Sequence, residues 1–169
     1  MTKKLGLNPD VSYMLGLHVC NRQDSYIGVA SASDDVIERF VKIAMYNLGI
    51  ESNKILIEEG KAIFYNSKIR KLLDNALERR VKIFKYRNDY ASNYLAAIFD
   101  CNGGVDKKGL YIRGLEDADE MIMENVGFHS TKAGRKNYVM NQNEFITFIR
   151  PFSVRANTIR PPGYERDPR

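Results

Sequence analysis

Tyr13-Met14-Leu15-Gly16-Leu17-His18-Val19-Cys20-Asn21-Arg22 and Tyr94-Leu95-Ala96-Ala97-Ile98-Phe99-Asp100-Cys101-Asn102-Gly103 read as two copies of one segment. Tyr13 aligns with Tyr94, Leu17 with Ile98, Cys20 with Cys101 and Asn21 with Asn102, all at an offset of 81 residues (94 − 13). Tyr13, Leu17 and Cys20 fall at helical spacing, and Pro9 and Asp10 suit the first turn of a helix. Gly16, Ala96 and Ala97 leave little bulk on one stripe, so two such helices can approach closely. Their closing residues, Asn21 and Asn102, then emerge side by side at one end of the pair.

Outward from these segments the same order of elements occurs twice. After the first copy, Ser25–Ala30 reads as a strand. Ser33 is expected to cap a helix with Asp34 and Asp35 in its first turn and Val36, Phe40 and Ile43 on its apolar face. Lys54–Ile57 and Ala62–Tyr65 flank Glu58-Glu59-Gly60-Lys61 as a hairpin, and a helix starts near Ser67. After the second copy come the turn Asp106-Lys107-Lys108-Gly109, the strand Leu110–Arg113 and an acidic helix from about Glu116 to Val126. Residues 128–131 and 137–140 flank Lys132-Ala133-Gly134-Arg135-Lys136 as a second hairpin, and a last helix carries Phe145, Phe148 and Ile149. The offset drifts from 81 to 76 along the copies, as small loop changes would produce. The chain divides into a first repeat at 8–88, a second at 89–154, and a stretch from Arg155 to 169, rich in proline, that reads as a mobile tail.

The 169 residues suffice for one compact domain or two half-domains sharing a core. The net charge of +5 and a pI of about 9.1 make an anionic partner plausible, nucleic acid first. No apolar run approaches the roughly 18 residues of a membrane span, and the start of the chain lacks a secretory signal. A cytoplasmic, soluble protein with no membrane partner is the expectation. Cys20 and Cys101 are too few for a disulfide framework, and with only His18 and His129 no zinc site assembles. The matched cysteines read first as small core residues, with a bridge between the halves as the sharper alternative.

These segments, and the repeated order around them, resemble the LAGLIDADG homing endonucleases in their single-chain, two-repeat form, from about Ser12 to Phe152. The second copy departs from the family string mainly by Ala for Gly, Cys for Ala and Asn for the last Asp. The first is more degenerate, with Val19 and Asn21 at the two acid positions. The resemblance implies an α+β fold of tandem duplicated αββαββα halves with pseudo-twofold symmetry, paired motif helices at the centre and a saddle of antiparallel sheets on DNA. The first half looks one strand short, since Arg22-Gln23-Asp24 leaves little room for it.

In the family the last acid of each motif helps to hold divalent metal ions that drive strand cleavage. Such hard cations need anionic oxygen ligands, and Asn21 and Asn102 offer only neutral amides. They are therefore read as vestigial positions, with no catalytic residue and no metal ligand expected. Asp24, Asp100 and Asp106 lie nearby, but Asp100 sits at the earlier motif acid and points to another side of the helix. No cofactor is expected, and Mg²⁺ or Mn²⁺ enters only with residual nuclease activity. Lys107, Lys108, Tyr111, Arg113, Lys132, Arg135 and Lys136 are the candidate nucleic-acid contacts. The acids of the helix beside them are expected to face solvent, and the joint cluster of Arg79, Arg80, Lys82, Lys85 and Arg87 reads as a solvated helix face. The first half is less suited to phosphate, because Glu58 and Glu59 sit at its hairpin tip.

The expectation is a duplex-DNA-binding protein derived from a homing endonuclease, with cleavage lost or strongly reduced. It acts as a monomer containing its own pseudo-dimer. Two alternatives stay open: a residual Mg- or Mn-dependent DNA endonuclease, and an RNA-binding, splicing-assisting protein.

Overall fold

A computed structural model describes residues 5–159. Helix α1 (Pro9–Cys20) opens the first unit. Asn8 caps it by accepting the Val11 N–H at 2.8 Å, with proline in the first turn, where no intrahelical donor is missed. β1 (Ile27–Ala30), α2 (Asp34–Tyr46), β2 (Leu56–Glu58), β3 (Lys61–Phe64), α3 (Ser67–Glu78) and the short α4 (Arg80–Ile83) follow. Ser33 holds the cap position of α2 in extended backbone, but its side chain makes no capping bond there. The second unit is α5 (Asp89–Asn102), β4 (Gly103–Asp106), β5 (Gly109–Arg113), α6 (Asp117–Asn125), β6 (Ser130–Ala133), β7 (Lys136–Val139) and α7 (Gln142–Ile149). Asn88 caps α5 through the Ala91 N–H at 3.1 Å, as Asn8 caps α1.

The strands form two antiparallel sheets, ordered β1-β3-β2 and β4-β5-β7-β6. The second unit thus runs αββαββα, while the first has one strand fewer, because the chain passes from α1 to β1 through the short irregular stretch after Cys20. Each sheet turns one face to helices. Ile27, Val29 and Phe64 meet Phe40 of α2 in the first unit, with the Phe40 and Phe64 rings 5.9 Å apart. In the second, Phe145 meets Phe99 and Phe128 edge-on at 6.3 and 5.3 Å.

Helices α1 and α5 pack face to face at the centre, with Tyr13–Leu17 and Tyr94–Ala97 excluded from solvent. Gly16 makes the crossing possible: a Cβ there would lie 2.5 Å from the Tyr94 carbonyl oxygen and 2.6 Å from the Ala97 Cβ. The matched tyrosines play parallel parts. Tyr13 donates to Asp100 and Tyr94 to Asp119, each at 2.6 Å. The Arg39 guanidinium covers the Tyr13 ring at 3.6 Å, and Phe84 stacks on Tyr94 at 4.4 Å. Burial raises the hydroxyl pKa of both tyrosines, so they are neutral donors.

Two expectations fail on charge. Arg80 is not on a solvated face: it is buried, and donates to Asp119 (2.9 Å), Glu116 (2.5 Å) and the Leu77 carbonyl (2.9 Å). Accordingly Asp119 of the acidic stretch turns inward, while Glu116 meets Arg80 from a half-exposed position and Glu120 accepts from Asn137. Arg87 stays exposed, although its guanidinium lies over Phe128 and Phe148 and donates to the Val126 carbonyl. A guanidinium buried like that of Arg80 needs this many acceptors, because an unpaired charge inside the protein is costly.

The stretch read as a tail is anchored at its start. Asp100 accepts from the Ser153 hydroxyl (2.5 Å), the Val154 N–H (2.9 Å) and the Arg155 N–H (3.0 Å). Arg155 Nη1 reaches the carbonyls of Asp100 and Gly103, and Ala156 is buried. The rest of that stretch, from residue 160, lies outside the described residues. Among the described residues no helix is long and apolar enough to cross a membrane.

Candidate nucleic-acid interface

The two helix ends that carry the Cys-Asn pairs lie between the sheets. Asn21 closes α1. Its amide Nδ2 donates to the Leu17 carbonyl (2.8 Å) and approaches Cys101 Sγ (3.6 Å), while Oδ1 accepts the Ala30 N–H (3.3 Å). This links helix end, partner helix and first sheet through one amide. Cys20 and Cys101 are free and half-buried. A hydrogen bond between the thiols, together with burial, pushes Cys20 well above the ordinary thiol range. Asp100, one turn from this point, is committed to Tyr13 and residues 153–155.

Asn102 ends α5 and borders a hollow of about 700 Å³ whose other walls include Arg113, Lys132, Arg135 and Lys136. These side chains come from two hairpins. In β5, Leu110 and Ile112 are buried, so Tyr111 and Arg113 project from the opposite face. Tyr111 pairs with Tyr138 and Arg113 with Lys136, so all four share that outer face. Lys132 differs: it lies opposite Asn137, on the helix side of edge strand β6, and reaches the hollow around the sheet end. Arg135 sits in the two-residue loop between β6 and β7, beside Gly134 at φ +64°. Lys107 and Lys108 form the β4–β5 loop at the other end of the strands. The predicted basic residues are thus split into a group by the helix ends and a pair at the periphery.

Sequence reasoning named Tyr111, Lys136 and Asp106 but missed Gly104, Tyr138 and the way these groups hold this face together. The Tyr111 ring lies across Gly104, where a Cβ would fall 2.5 Å from its hydroxyl. The Tyr138 ring meets Tyr111 edge-on at 6.0 Å, and Lys136 Nζ sits over Tyr111 at 4.2 Å. Asp106 accepts from Lys136 Nζ (2.8 Å), the Tyr138 hydroxyl (2.7 Å) and the Lys108 N–H (2.8 Å). Those hydrogen bonds, the Lys136 ammonium first, hold its carboxyl far below the usual carboxylate range. The alternation of Gly104 and Asp106 along β4 was the signal available. In the first unit the equivalent face carries Lys61 over Tyr26 (4.9 Å) and Glu58 opposite Lys61, but is otherwise lined by Leu56 and Ile63.

Two sheets flanking a central helix pair, with the polar motif residues at one end of that pair, define the LAGLIDADG fold. Among solved structures it is similar to the homing endonuclease I-DmoI in complex with DNA and calcium, at a TM-score of 0.66 and 16% identity over 89% of this chain and 96% of that one. It is also similar to the N-terminal LAGLIDADG domain of DUF199/WhiA, at 0.57 and 15% over 90% and 87%. Full-length DUF199/WhiA from Thermatoga maritima matches at 0.61 and 14%, covering 89% of this chain and 58% of that protein. No protein-family model and no curated protein matches the sequence.

Proposed function

We propose that this protein binds duplex DNA through the outer face of the β4-β5-β7-β6 sheet and does not cleave it. The observation that carries the reading is the contrast between that face and the helix ends beside it. The face gathers Arg113, Lys136 and the loop cations Lys107, Lys108 and Arg135, placed to meet phosphates, with Tyr111 and Tyr138 between them. The centre offers two amides and two thiols where the fold family places carboxylates. This donor set does not fit Mg²⁺ or Mn²⁺, which require anionic oxygens. Asn21 Oδ1 already accepts a backbone N–H, and Asp100 has four donors on it. Among the described residues no three histidine, cysteine or acidic side chains converge as a metal site. The DNA-bound structures of the similar I-DmoI support the choice of partner.

The test is fluorescence anisotropy with random-sequence duplexes across a salt series, alongside plasmid incubation with Mg²⁺ and with Mn²⁺. Expected are salt-sensitive duplex binding and intact plasmid. Metal-dependent cleavage that Asn21→Ala and Asn102→Ala abolish overturns the loss of activity. Stronger binding to structured RNA than to duplex DNA overturns the choice of partner.

A further inference from the structure

We propose that two copies of this chain associate through strand β2, joining their first sheets edge to edge across a twofold axis. The proposal goes beyond DNA binding and does not depend on it. β2 is the open edge of its sheet, and all three of its residues are exposed. Open edges are ordinarily blunted by charge, yet here Leu56 and Ile57 stand 51% and 62% exposed at adjacent positions.

The charges that flank them are arranged for self-pairing. The stretch Lys54-Ile55-Leu56-Ile57-Glu58, running from the last residue of a 3₁₀ turn (Ser52–Lys54) through β2, carries opposite charges two residues either side of Leu56. Laid antiparallel on a second copy about Leu56, it places each Lys54 opposite the partner's Glu58 and each Ile57 opposite the partner's Ile55. Leu56 meets its own counterpart at the axis. Such an interface is self-complementary, as a twofold requires. Parallel or shifted registers forfeit the charge match.

Backbone parity agrees. Glu58 and Lys61 flank a two-residue loop, so their amide groups face one another. Alternation then turns the amide groups of Ile57 and Ile55 toward the open edge. The Ile55 N–H is already given to the Ser52 carbonyl at 3.2 Å. The Ile57 N–H and Ile55 C=O remain, and the axis makes them two reciprocal hydrogen bonds. Ile55 is already in extended backbone, at φ −94° and ψ 117°, so the strand lengthens by that residue as it stands, and the Lys54 side chain reaches Glu58 of the second copy from the end of the 3₁₀ turn Ser52–Lys54. Among the described residues the Lys54 ammonium pairs only with Glu51, in an exposed contact at 3.8 Å that is easily exchanged.

Sedimentation equilibrium of the full chain over about 1–200 µM reads the association, because an interface this short suits a dissociation constant in the micromolar range. The wild-type chain is expected to dimerise, and Ile57→Lys to remain monomeric with an unchanged circular dichroism spectrum. Lys54→Glu puts acids at both ends of the strand, and Glu58→Lys puts bases at both. Each alone is expected to weaken dimerisation about tenfold or more, and an equimolar mixture of the two to recover it. A wild-type chain that stays monomeric over the range, a dimer indifferent to Ile57→Lys, or a mixture no tighter than its components overturns the proposal.

Discussion

Replacing Arg80 by alanine tests what fastens the joint between the two units. The guanidinium serves three acceptors, of which Glu116 is half exposed and can turn to water. Asp119 cannot: its side chain is 3% exposed and among the described residues would keep only the Tyr94 hydroxyl at 2.6 Å. Removing one partner from a buried ion pair costs about 3–5 kcal/mol. Domains of this kind are stable by about 5–15 kcal/mol, so about a fifth or more of the total is at stake. Arg80→Ala/Asp119→Ala removes the stranded charge as well, leaving the Tyr94 hydroxyl without an acceptor at about 1–3 kcal/mol. The double variant is therefore expected to be more stable than Arg80→Ala alone. Urea unfolding followed by circular dichroism at neutral pH measures both, provided the m-values agree. A loss below about 1 kcal/mol for Arg80→Ala, or a double variant no more stable than Arg80→Ala, would refute the claim that a buried pair holds the joint.

Three further outcomes are expected. Gly16→Ala drives a methyl group into the Tyr94 carbonyl and Ala97, and should cost about 1–3 kcal/mol in urea unfolding, as overpacked sites do. Asp106→Asn removes an anion from the outer face and releases Lys136; duplex binding should tighten and the slope of log K against log salt should steepen by about one. Burial lowers the His18 imidazole pKa, more than Asp74 at 2.8 Å raises it, and Nδ1 has no partner among the described residues. The unfolded chain then binds more protons below about pH 6.5, so stability is full above that value and falls on acidification, by up to about 1.4 kcal/mol per pH unit. Melting wild type and His18→Gln at pH 7.5 and 5 should show a smaller acid loss in the variant. A gain in wild-type stability on acidification would mean the imidazolium–Asp74 pair dominates.

Much of the architecture was legible because it rests on local signals. Gly16, Ala96 and Ala97 marked the close helix pair, glycines and charges marked the hairpin tips, and the short link after Asn21 announced the missing strand. The second hairpin proved tighter than expected, with Lys132, Ala133 and Lys136 in the strands and only Gly134 and Arg135 in its loop. What escaped was every charge whose partner is distant in sequence. Arg80 and Asp119 are 39 residues apart, so composition alone made each look like solvated surface. Lys132 escaped because its facing depends on the register of β6 against β7, which no local pattern states. Asp106 was noticed as an acid near the motif, but its role depends on Lys136, a residue two strands away.

Asp100 has a consequence for the order in which the molecule is completed. One of its four donors comes from α1 and three from residues 153–155. During synthesis the helix pair can form long before those last donors leave the ribosome, and until then a buried carboxylate waits with a single hydrogen bond. A chain stopped just short of Ser153 would have every strand and helix described above, yet keep an under-satisfied charge at its centre. The acceptor capacity of Asp100 is filled only once residues 153–155 are in place.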